Sequence, residues 1–149
     1  LSSSSAASDV YKRQALHMAN PQGVLLSPPE ESGEGDGGLF KGILARYLAE
    51  VAERLPEDSK ENIATKKIAA RLVMQSAESL WAHRLEVDGL PVFAAEWTQD
   101  AKLPHNYGLG PASISEAVGL VRIDERDLSV QLSGWMLLEA AARVAAAQG

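Results

Sequence analysis

Cysteine is absent from the 149 residues, which excludes disulfides, thiolate zinc sites and cysteine nucleophiles. Aromatic residues make up only 5% of the chain, so a core has to be built from Leu, Ala, Val and Ile. No apolar run reaches the roughly 18 residues of a membrane-spanning helix, and no signal-peptide pattern is recognisable. Positive charge is also short. With 14 Lys and Arg against 20 Asp and Glu the net charge is -6, which argues against a nucleic-acid or anionic-membrane surface. His17, His83 and His105 are scattered outside any HExxH spacing, so no metal site is expected. Neither a GxSxG elbow nor a strand-following phosphate loop is present, and no cofactor is expected.

What is present is ordinary globular composition, 46% hydrophobic and 23% charged, sized for one domain or part of a larger one. The opening LSSSSAASDVYKRQ, residues 1–14, is serine-rich and aperiodic. It reads as adapter-like non-native sequence or a disordered tail, leaving residues 15–149 as the structured region.

Ala15 to Asn20 can end a helix at the Asn20-Pro21 pair. Residues 21–38 then hold three prolines, five glycines and four carboxylates around an apolar island, Val24 to Leu26, expected to be briefly extended. From Leu39 to Leu55 the positions Leu44, Leu48, Val51 and Leu55 follow helical spacing, and Pro56 ends the run. Asp58 or Ser59 can cap a second helix in which Ile68, Leu72, Val73, Ser76 and Leu80 recur as far as about His83. The two form an αα-hairpin. Leu85 to Pro111 is a long connection with Asp88-Gly89 near its start and Trp97 in its middle. A helical segment is expected from about Ser113 to Leu120, with VRIDERD after it as a loop or short strand. A last helix starts near Asp127 or Ser129 and runs to about Ala147, with Val130, Gly134, Leu137, Ala141 and Val144 on one face.

Glycoside hydrolysis needs two carboxyl groups about 5–10 Å apart. Glu30-Glu31, Glu34 with Asp36, and Asp124-Glu125 with Asp127 qualify by proximity in sequence, but each reads as a solvated loop. Trp81 and Trp135 occupy helical positions that suit a core, whereas the loop residue Trp97 suits either a core or a sugar-stacking platform. Phe40-Lys41-Gly42 places a ring, a cation and a helix-disfavouring glycine in one turn. In one reading Phe40 packs under the preceding loop, Lys41 points to solvent and Gly42 makes room for a neighbouring helix. In the other, Lys41 sits where the helix dipole favours anions, so Glu34, Asp36 or a ligand holds it. Local physics leaves both open.

GVLLSPPEESGEGDGGLFKGILARYLAEVA resembles the signature region of glycoside hydrolase family 76, the endo-α-1,6-mannanase family, where an acidic glycine-rich loop precedes an F-K-G-I-x-x-R-Y-L helix. SAESLWAHRLEVDGL followed by Trp97, and LSVQLSGWMLLEAAARV, are similar to later family segments, so the resemblance covers roughly residues 16 to 147. It implies an all-α fold, the C-terminal part of an (α/α)6 toroid of αα-hairpins with long loops. It also implies retaining hydrolysis of α-1,6-mannan or related α-mannosides, and export from the cytoplasm. The family's adjacent catalytic aspartates have no counterpart, because this sequence contains no Asp-Asp pair. No catalytic residue is therefore assigned. By placement in the matching motifs, Asp36, Phe40 and Lys41 fall at the cleft rim, joined by Trp97, as substrate-binding residues. The alternative is a non-catalytic helical-repeat interaction or carbohydrate-binding module.

Overall fold

A short turn ended by proline on one side and a serine cap on the other sets the first pair of helices. Helix α1 spans Gly37–Arg54 and stops before Leu55-Pro56, where proline disfavours helical geometry at its predecessor. Helix α2 spans Lys60–Ala82 and is capped by Ser59, whose Oγ accepts from the Asn62 amide at 3.1 Å. Asp58 accepts a further bond from the Asn62 side chain at 2.7 Å, so both expected cap residues contribute.

The computed structural model describes residues 13, 17–27, 37–102 and 128–149. The expected helix from Ser113 to Leu120, the VRIDERD segment, His105, all three carboxylate groups and the residues 1–12 lie outside the described residues.

Beyond α2, Leu85–Val87 (β1) and Leu90–Val92 (β2) pair antiparallel, with Leu85 opposite Val92 and Val87 opposite Leu90. This hairpin corrects the reading of residue 85 onward as plain connection. The turn is Asp88-Gly89, with φ of 51° and 78°, the left-handed pair that a tight two-residue hairpin loop requires. Helix α3, Leu128–Gln148, closes the described chain. The molecule is all-α in class, with the hairpin as its only sheet among the described residues.

Helices α1 and α3 lie side by side and form the most extensive contact. Their paired positions rise together, from Gly38 beside Ser129 and Gly42 beside Ser133 to Arg46 with Glu139 and Glu53 with Arg143. The two are therefore parallel, and α2 returns between them in direction. The expected core positions of α3 are all buried, as are Leu48 of α1 and Leu72, Val73, Ser76 and Leu80 of α2. Leu44, Val51 and Ile68 pack partly buried against that core.

The apolar island before α1 is extended, as its composition predicted. Ala19 and Leu25 form an isolated antiparallel bridge, and the Leu25 amide donates to Ser76 Oγ at 3.0 Å. Buried Ser76 thereby serves as an anchor for a strand that no sheet receives.

Candidate functional site

The parallel arrangement of α1 and α3 brings both N-termini to one end, where the β1–β2 hairpin and the segment after it also sit. Residues 93–97 run across that end and are tied to every helix. The Gln131 side-chain amide accepts from the Phe93 N–H at 3.0 Å and donates to its carbonyl at 2.8 Å, as a neighbouring strand would. Lys41 Nζ donates to the Ala95 carbonyl at 2.6 Å. Ser79 Oγ donates to the Trp97 carbonyl at 2.7 Å, so α3, α1 and α2 each hold one point of the same crossing.

Lys41 is buried at the centre of this arrangement, with Nζ 4.4 Å from the centroid of the Trp97 ring. Ring and carbonyl both favour the ammonium form. Burial opposes it and outweighs the attraction of nearby Glu96, bringing the amine down to about 8. A cavity of about 10 Å³ adjoins it, lined by Gly38, Lys41, Ala95, Trp97, Val130 and Ser133 among others. Ser133 Oγ is buried there with no hydrogen-bond partner among the described residues.

The tryptophans depart from expectation. Trp97 is 1% exposed and belongs to the core, whereas Trp81 and Trp135, assigned to the core by helical position, are 44% and 52% exposed. Trp97 is buried because Ser79 and Lys41 pull its loop onto the helices. Trp81 emerges near the last turn of α2 and takes the Arg84 guanidinium 4.0 Å from its ring centroid. Trp135 makes an edge contact with Phe93 at 5.9 Å and leaves the rest of its ring open.

The rim residues divide accordingly. Phe40 is 47% exposed. Asp36 lies outside the described residues. Lys41 does not point to solvent, because the Ala95 carbonyl and the Trp97 ring hold it. Truncating Lys41 is therefore expected to weaken the packing of this crossing. Gly42 does make room for a neighbour: a Cβ there would lie 2.7 Å from Ser133 Cα.

Sequence reasoning missed Gln131 and the hairpin. The hairpin carried a signal in Asp88-Gly89 between LEV and LPV, whereas a lone glutamine on a helix carries none. No group of three potential metal-ligating side chains occurs among the described residues. Lys41 and the Ser133 hydroxyl line the same small cavity.

The fold is similar to that of a solved protein. The GH76A α-1,6-mannanase from Salegentibacter sp. HEL1_6 superposes on 85% of this chain with a TM-score of 0.53 and 30% identity. The chain resembles a piece of a family 76 fold. It spans 28% of that mannanase's length. No protein-family profile and no curated protein matches the sequence. A glycoside hydrolase-like origin is what the likeness supports. Among the described residues no helix is long and apolar enough to cross a membrane.

Proposed function

We propose that the chain is a helical portion of a retaining glycoside hydrolase acting on α-1,6-mannan or related α-mannosides, with the catalytic aspartate pair in another part of the enzyme. The observation that carries this reading is the likeness to the α-1,6-mannanase at 30% identity over 85% of the chain. Supporting it, the loop-bearing end gathers two helix N-termini, a hairpin and an exposed ring. On this reading Phe40, with Asp36, meets the glycan. Lys41 and Trp97 act behind them, fixing the crossing segment against which the rim is built.

Reducing-sugar release and affinity electrophoresis in α-1,6-mannan test the proposal directly. The 149-residue chain is expected to release no sugar, since it has no Asp-Asp pair. It is expected to be retarded by the mannan, and less so after Phe40→Ala. Turnover by the wild-type chain would overturn the missing-pair assignment. Retardation by an unrelated polysaccharide but not by mannan would overturn the substrate class.

A further inference from the structure

A buried hydroxyl is normally paired, either with the carbonyl one helical turn back or with a neighbouring element. Thr65 donates to the Glu61 carbonyl at 2.8 Å and Ser76 accepts from the Leu25 amide at 3.0 Å. Ser133 of α3 is as deeply buried, at 2% exposure, and its Oγ takes no partner among the described residues. A Cβ on Gly42 would lie 2.8 Å from that Oγ, so the hydroxyl is turned toward α1, the helix that carries Lys41.

Lys41 has donors to spare. An ammonium carries three N–H groups, and the Ala95 carbonyl takes one of them at 2.6 Å. The cavity of about 10 Å³ that Lys41 and Ser133 both line is close to the space that one water molecule needs. It is too small for a sugar ring or a carboxylate. Charge decides between the small occupants that remain. Ala95 and the Trp97 ring also border the cavity, and a carbonyl oxygen and the negative face of an indole both repel an anion such as chloride. A neutral molecule that donates as well as accepts suits these surroundings.

We propose that this cavity is a binding site for a single water molecule, which accepts from Lys41 Nζ and donates to Ser133 Oγ. The bridge satisfies the hydroxyl, and through Lys41 it joins the crossing segment 93–97 to α3 as well as α1. The site uses no residue that has to touch glycan, so it stands or falls separately from the mannan reading.

Crystals of the 149-residue chain grown in bromide salt, at a resolution that shows ordered water, test the site without any variant. The expected result is one density peak at roughly 2.7–3.2 Å from both Lys41 Nζ and Ser133 Oγ, with no anomalous signal. An empty site overturns the proposal, as does a Ser133 hydroxyl bonded directly to a protein carbonyl. Anomalous bromide signal at the peak overturns it in favour of an anion. Urea denaturation gives the energetic counterpart. Ser133→Ala should cost more in the wild-type chain than in Lys41→Met, whose thioether donates nothing to a water and leaves the hydroxyl unpartnered beforehand. The difference should reach about tenfold in the unfolding constant. Equal effects of Ser133→Ala in the two backgrounds would show that no bridge links the residues.

Discussion

Lys41 shows how one buried cation couples packing to pH. Its amine titrates near 8, below its ordinary value of 10.5. Between those two pH values the unfolded chain holds more protons than the folded one. Stability must therefore rise as pH climbs through this window, and the cost of burying the charge is fully present below it. A difference of this size corresponds to roughly 3 kcal/mol. Calorimetric melting temperatures taken from pH 7.5 to 10 should climb in the wild type relative to Lys41→Met, which keeps the length of the side chain and removes the titration. Parallel pH profiles for the two proteins would refute the assignment. Little of this was legible in the sequence. The F-K-G triplet marked the turn as unusual, but the Ala95 carbonyl that receives the ammonium lies 54 positions away and carries no side-chain signature. Trp81 and Trp135 were misjudged, and Trp97 left open, for a related reason. Helical phase places a side chain relative to its own axis, whereas Trp97 was buried by tertiary bonds from two helices.

Among the elements, the helices were the legible part. Their apolar spacing, the Pro56 stop and the Ser59 cap are local signals, and the structure repeats them within a residue or two. The hairpin was less legible because Pro91 within β2 weakens a strand assignment. Helix contacts are harder still to read, and Gly42 is the clearest case. A methyl group there would meet the Ser133 backbone, 2.7 Å from its Cα and 2.9 Å from its oxygen. Backbone cannot swing aside as a side-chain tip can, so the two helices would have to separate. Gly42→Ala gains up to about 1 kcal/mol of helix propensity but incurs overpacking of about 1–3 kcal/mol. Urea denaturation should show net destabilisation, in contrast to the stabilisation expected for glycine to alanine at an open helical site. A more stable Gly42→Ala protein would mean that α1 and α3 are not in such close contact.

At the scale of the molecule, apolar spacing and motif likeness gave the class and motif likeness the direction of function, while the position of the polar crossing had to come from structure. The α1–α3 partnership was invisible because parallel helices need a long return, and nothing local announces which distant helix will come back. Arg143 meets Glu53 across 90 positions and Glu50 across 93. That separation has a consequence in time. Bringing such distant segments together carries a larger loop-closure entropy than the five-residue turn joining α1 to α2. The α1–α2 hairpin should therefore form early, with α3 docking after the main barrier. Stopped-flow chevrons would then show Gly42→Ala steepening escape from the native state while leaving the refolding rate nearly untouched. A slowed refolding arm would instead place α3 in the nucleus. The glycine that lets two helices touch would then act as a brake on unfolding, setting how long the assembled molecule lasts more than how quickly it forms.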